Sequence, residues 1–202
     1  MNNKEYFDNA ADTWDDKFLT PQLFSFLDKL APQFRIAAGQ DVLDVGTGTG
    51  LLVPYLTRLV GPAGSVTAID LSEKMVQKCQ AKYSNIKNLS IKIADIEETV
   101  FQPATFDTVI CFGVFPHIEH KENALHNISQ MLKPSGNLII AHALSSKELK
   151  EHHGKVSMHV AHSVLPGKIE MKNLLKRTGF ENVYIKDEPG CYLCIAHKPS
   201  SG

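Results

Sequence analysis

The chain has 202 residues, 43% of them hydrophobic, with 21 Lys and Arg against 22 Asp and Glu. That length suits one domain with a sizeable core, and the near-neutral charge offers neither a global basic surface for nucleic acid nor an acidic tail. Four cysteines are too few for a disulfide scaffold, no apolar run approaches the roughly 20 residues that span a bilayer, and Met1 to Glu5 lacks the apolar core of a signal peptide, so a cytoplasmic protein with reduced thiols is expected.

Tyr6, Phe7, Ala10, Ala11 and Trp14 recur at helical spacing, with Asp12, Asp15 and Asp16 between them. Pro21, a good first-turn residue, opens a second helix through Leu23, Phe24, Phe26, Leu27 and Leu30. Asp41 to Val45 is a short apolar run stopped by glycines, which predicts a buried strand. A helical stripe follows from Leu51 to Val60, broken by Gly61-Pro62. Further strands are predicted over Ser65 to Asp70, Leu89 to Ile93, Phe106 to Phe112 and Asn137 to His142. Ser72 stands where a helix N-cap belongs, Lys121 to Leu132 fits a helix, and Lys133-Pro134-Ser135-Gly136 reads as a turn. Lys168 to Thr178 is a helix closed by Gly179, and Asn182 to Asp187 with Cys191 to His197 form a hairpin around Glu188-Pro189-Gly190. Strands alternating with helices imply an α/β architecture around a mostly parallel sheet, here ending in an antiparallel hairpin.

The loop after the first strand is Asp44-Val45-Gly46-Thr47-Gly48-Thr49-Gly50. Glycines leaving a parallel strand let a ligand approach bare backbone. A dinucleotide fingerprint places glycines first, third and sixth, and the sixth position here is Leu51. Asp44, two residues before Gly46, disfavours a pyrophosphate and favours a cationic ligand. A nicotinamide oxidoreductase is excluded on both grounds.

These residues resemble the binding loop of the class I S-adenosylmethionine-dependent methyltransferases. The resemblance continues in order through Ala68-Ile69-Asp70-Leu71-Ser72, Ala94-Asp95-Ile96, Phe106-Asp107-Thr108-Val109-Ile110 and Leu132 to Leu138. Asp70 lies 24 positions after Gly46, near the ~20 of a ribose-binding acid on this type of sheet. The resemblance implies a Rossmann-like three-layer sandwich with a mostly parallel seven-stranded sheet and an antiparallel C-terminal hairpin strand. It implies S-adenosyl-L-methionine as cofactor and S-adenosyl-L-homocysteine as product. The implied cofactor-binding residues are Asp44, Gly46, Thr47, Gly48, Gly50, Asp70, Leu71, Met75, Asp95, Ile96, Phe112 and Gly113. Asp44 would face the ammonium group, Asp70 the ribose hydroxyls and Asp95 the adenine amino group, with Leu71, Met75 and Ile96 flanking the base. One domain over 1–202 is expected: a helical cap (1–39), a cofactor-binding core (40–142), an acceptor-side lid (143–167), and a C-terminal helix and hairpin (168–202).

The acceptor side is less legible. Cys111 to Glu119 is similar to the turn in small-molecule methyltransferases of the quinone-biosynthesis and sterol-type groups, with His117 in the place of their His. That residue is read either as a general base or acceptor-orienting group, or as a brace or N-cap for the next helix. Phe7 and Trp14 either fold over the cofactor or acceptor, or pack an amphipathic helix. His142, His152, His153, His159 and His162 crowd the lid. They line an anionic acceptor, stand in solvent, or form a zinc- or iron-type site; no metal is assigned. Cys191 and Cys194, three apart on a strand, should face opposite ways rather than chelate. The expected activity is in-line methyl transfer to a small molecule by a monomer or homodimer, with no nucleic-acid or membrane partner. A regulatory module that binds cofactor without turnover, and an RNA or protein methyltransferase, remain as alternatives.

Overall fold

The computed structural model describes residues 2–99, 101–156 and 164–200. The seven strands are β1 (Asp41–Val45), β2 (Ser65–Asp70), β3 (Leu89–Ile93), β4 (Phe106–Phe112), β5 (Leu132–His142), β6 (Glu181–Glu188) and β7 (Cys191–His197). The sheet has the order β3-β2-β1-β4-β5-β7-β6. The β1–β2, β2–β3 and β4–β5 pairs are parallel, and β7 runs antiparallel to both β5 and β6. This is the mostly parallel sheet with a reversed C-terminal hairpin that the alternation of elements predicts. The helices are α1 (Asn3–Ala10), α2 (Trp14–Phe18), α3 (Pro21–Leu30), α4 (Val53–Val60), α5 (Glu73–Tyr83), α6 (Lys121–Met131), α7 (Ser146–Val156) and α8 (Lys168–Arg177). Among the described residues no helix is long and apolar enough to cross a membrane. The chain divides into two compact units, Met1–Asp95 and Ile96–Gly202.

In the first unit, Val42, Leu43 and Val45 of β1 are buried, as befits an inner strand without polar alternation. Val53, Leu56 and Val60 line one stripe of α4, all fully buried, and the helix packs on β1 and β2. The helix starts at Val53 rather than Leu51. Val53 N–H still donates to Gly50 O within the turn, and Pro54 takes a first-turn place. Ser72 caps α5 by accepting from Met75 N–H at 3.2 Å.

The N-terminal segment is two helices joined by a 3-10 turn at Ala11–Thr13. Asp12 and Thr13 sit at this break, and such side chains compete with helical backbone bonding. Asp8, Asp12 and Asp15 share a face and meet α5. Asp8 accepts from the Ser72 hydroxyl (2.6 Å) and Lys74 N–H (3.2 Å), Asp12 pairs with Lys78 (3.0 Å), and Asp15 pairs with Lys82.

In the second unit α6 packs on β5 and α8 on β6. The expected turn at Lys133 to Gly136 belongs to β5 instead. Phe106 pairs with Leu132, then the register jumps so that Thr108 pairs with Asn137. Ser135 absorbs the detour at φ 62°, and Lys133 holds Asp107 at 2.7 Å. Ser145 and Glu148 cap α7 reciprocally: Glu148 accepts from Ser145 N–H (2.8 Å) and hydroxyl (2.7 Å), and Glu148 N–H donates to Ser145 Oγ (3.2 Å). Glu148 also accepts from Gly190 N–H at 2.8 Å, tying the helix to the β6–β7 turn. The lid expected over 143–167 thus begins as a helix. His159 and His162 lie outside the described residues, as do the side chains of His152 and His153.

Gly50 is required by packing. Its φ is +92°, and a Cβ there would stand 2.5 Å from the Tyr83 ring and 2.8 Å from Cys79 Sγ. Gly50→Ala should lose about 2–4 kcal/mol through combined backbone strain and overpacking. The loss would appear as a lower urea midpoint at constant m; an unchanged midpoint refutes the assignment.

Candidate functional site

Register places Val45 beside Ile69, so β1 and β2 end together and bring Asp44 and Asp70 to one edge. Between them runs the glycine loop. Thr47 N–H donates to Ile69 O and Gly50 N–H to Thr47 O, each at 2.9 Å. Gly46 and Gly48 take φ of 68° and 56°, which suits glycine. Gly48 N–H then points at Asp70 and donates to Oδ2 at 2.8 Å, while Ser72 N–H donates to Oδ1 at 2.9 Å. A carboxylate has about four lone-pair sites, so Asp70 keeps capacity for two further donors. Burial raises its pKa despite these bonds, and the Asp8 charge adds to the rise.

Asp44 is only 1% exposed. Its Oδ2 and the Thr47 Oγ1 are buried without a hydrogen-bond partner among the described residues. Burial pushes the Asp44 carboxyl up to about 7, and Asp70 pushes the same way; the nearby Thr47 hydroxyl opposes them without completing a bond to Oδ2. A buried acceptor with nothing to accept from is costly unless a donor arrives.

Trp14 lies over the loop. A Cβ built on Gly48 would approach its Nε1 at 3.9 Å, an ordinary contact. Gly48 therefore owes its identity to conformation and to the open space above it. Trp14 meets Phe7 edge-to-face at 5.7 Å and Phe18 at 4.3 Å. These aromatics pack together, with the Trp14 ring edge beside Gly48.

Two residues of the expected cofactor-binding set pack against the protein's own interior. Gly50 faces α5, not the loop's open side. Met75 is 1% exposed and lies in the core, on the same face of α5 as Cys79. Leu71 and Asp95 are half-buried beyond the ends of β2 and β3.

In the second unit, Ile96 is buried and its carbonyl accepts from Asn127 Nδ2 at 3.0 Å. Gly113, at φ +74°, donates its N–H to Ala141 O at 2.9 Å and turns the chain after β4. Phe112 stacks on His142 at 6.5 Å. His142 Nδ1 accepts from Leu144 N–H at 3.1 Å, which leaves the ring proton on Nε2. His117 is half-buried and ends a 3-10 turn at Phe115–His117. It does not cap α6. The N-cap position is His120, which makes no side-chain cap bond, and Glu97 holds the residues just before the helix, accepting from Glu119 N–H (2.9 Å) and His120 N–H (2.8 Å). Among the described residues no group of three or more His, Cys, Asp or Glu is arranged to hold a metal ion. None of the four cysteines, Cys79, Cys111, Cys191 and Cys194, is in a disulfide among the described residues.

Sequence reasoning missed Asp8, Asp15, Thr49 and Glu97. Asp8, Asp12 and Asp15 carry a helical-spacing signal, as do Lys74, Lys78 and Lys82, but nothing local says that the two rows meet.

A methyltransferase-domain family model matches residues 36–184. The chain belongs to the class I S-adenosylmethionine-dependent methyltransferases. It is 30% identical over 174 residues to the ubiquinone/menaquinone biosynthesis C-methyltransferase UbiE of Klebsiella pneumoniae, covering 73% of this chain and 69% of that protein. With UbiE of Pseudomonas fluorescens the identity is 36% over 109 residues, 52% of this chain and 42% of the relative's length. A crystal structure of an S-adenosylmethionine-dependent methyltransferase from Aquifex aeolicus superposes with a TM-score of 0.74 at 25% identity, covering 94% of this chain and 97% of that one.

The buried acids give this methyltransferase a pH signature. Asp44 has a raised folded pKa, so its contribution to stability is full below about 4 and is lost as pH rises toward 7. The rise from 3.8 to about 7 corresponds to about 4 kcal/mol at most. Asp44→Asn should therefore raise the Tm of the free protein at pH 8 and leave it nearly unchanged at pH 4. Equal melting curves for the two proteins at pH 8 would refute this.

Proposed function

We propose that the protein transfers a methyl group from S-adenosyl-L-methionine to a small-molecule acceptor in the cytoplasm, as a monomer or homodimer. The observation that carries the reading is the pair of buried acids at the strand ends, one clasped by the glycine loop and one without a donor. The donor set fits the cofactor. Asp44 Oδ2 accepts from the ammonium of the amino acid head, and the charge of that head stabilises the ionised carboxylate. Asp70 takes the ribose hydroxyls with the lone pairs that Gly48 and Ser72 leave unused. Gly46, Thr47 and Gly48 offer backbone, Leu71 flanks the base, and Asp95 accepts from the adenine amino group. Ile96, Phe112 and Gly113 complete the proposed cofactor set.

The cofactor supplies a methyl already activated by a sulfonium charge, so the protein has to align the acceptor and exclude water. Trp14 and Phe7 cover the loop side. His117, His142 and the lid histidines are proposed as acceptor-side groups. The UbiE relatives are named for C-methylation in quinone biosynthesis, and an aromatic acceptor related to a quinone precursor is the first class to assay. The thiols stay reduced in such a role, with Cys79, Cys111 and Cys194 as buried packers.

Calorimetry with S-adenosyl-L-homocysteine tests the reading. Wild type should bind in the micromolar range, and Asp70→Ala should weaken binding by at least about 30-fold, the loss of two charge-assisted hydrogen bonds. Wild type that does not bind would overturn the proposal.

A further inference from the structure

The cap does more than cover the loop. Ser72 N–H holds Asp70 Oδ1, and the Ser72 hydroxyl is itself held by Asp8 Oδ1 at 2.6 Å. On the other side Gly48 N–H holds Asp70 Oδ2, and the next residue, Thr49, donates its hydroxyl to Asp15 Oδ1 at 2.5 Å. Lys82 closes this second branch, binding both Asp15 and the Thr49 carbonyl (3.2 Å). Thr49 is 1% exposed and Ser72 fully buried, so neither contact is a loose surface pairing. Between the two branches lies Asp12–Lys78, an ion pair in the same row whose Asp12 side chain is 78% exposed. It touches neither the loop nor Ser72.

We propose that Asp8 and Asp15 are positioning residues for cofactor binding: each fixes one of the two groups that aim the Asp70 carboxylate. The inference rests on the cofactor reading above. Asp8 sets Ser72 and Asp15 sets the Gly48-Thr49 backbone, so Asp70 is oriented only while the N-terminal helices are seated on α5. Binding and seating of the cap are therefore coupled. Asp12 supplies the control, because its removal costs the same kind of ion pair on the same helices without a link to Asp70.

The sole tryptophan, Trp14, lies on the Gly48 loop and reports the cap by fluorescence. S-adenosyl-L-homocysteine binding is measured by Trp14 fluorescence and by calorimetry on wild type, Asp8→Ala, Asp12→Ala and Asp15→Ala. Each variant loses one link toward Asp70, the Ser72 hydroxyl for Asp8→Ala and the Thr49 hydroxyl for Asp15→Ala, so each should raise Kd about tenfold, and Asp12→Ala less than about twofold. Asp8→Asn keeps an oxygen for Ser72 and Lys74 and should return Kd to within about threefold of wild type. Lys82→Met loosens Thr49 from the other side and should match Asp15→Ala, which keeps the test available should Asp15→Ala not fold. Equal weakening by all three alanine variants, or none by any, overturns the inference while leaving the cofactor reading intact. Wild type that fails to bind overturns both.

Discussion

The site depends on one buried carboxylate. Asp70 stands at the end of β2 with one oxygen taken by the glycine loop and the other by the start of α5. Those two N–H groups come from segments that otherwise have no reason to agree in position. The loop leaves β1 and the helix leaves β2, and the parallel β1–β2 ladder brings both departures to the same edge. A side chain with two in-plane acceptors is the simplest object that can fix two donors at once. The price of this arrangement is a charge held away from water, visible in the raised pKa of both Asp70 and Asp44. Local strain and unmet polar groups of this kind concentrate at functional sites. The Asp44 oxygen is such an unmet group, buried beside the glycine loop.

Seating of the N-terminal helices follows from the same constraint. Their carboxylates meet α5 with exposed or half-exposed partners, and exposed ion pairs contribute little stability singly. The contacts that matter reach further in, to the buried Ser72 and Thr49 hydroxyls. The near-zero net charge of the chain conceals this. Asp8, Asp12 and Asp15 are balanced by the lysines of α5, so a composition that looks featureless contains an ordered row of opposite charges.

Much of the first unit was legible in the sequence because its signals are local. The β1 and β2 boundaries follow from apolar runs ended by Gly46 and by Leu71-Ser72, and the α5 cap from Ser72. Direction in space is less legible, because position along the chain does not fix it. Met75 follows the ribose acid closely enough to suggest a contact with the base, yet Met75, Val76 and Cys79 lie on the buried side of α5. Gly50 completes a glycine series, but what it needs glycine for is Tyr83, 33 positions away. Lys133 to Gly136 has turn composition, and its ladder survives because β4 and β5 resume pairing beyond the irregularity. The role of Glu97 at α6 joins two segments about 20 residues apart and has no local signature.

The acceptor side follows a different logic. A cationic methyl donor asks for alignment, not for a protein nucleophile, and the thiols are unsuited to being one. Burial pushes both Cys79 and Cys194 up to about 12, so neither forms thiolate near neutral pH. His142 is constrained more subtly. With Nδ1 accepting from Leu144 N–H, the proton of the neutral ring lies on Nε2. That bond ties the His142 ring to the turn after β5, next to the Ser145–Glu148 cap that opens α7.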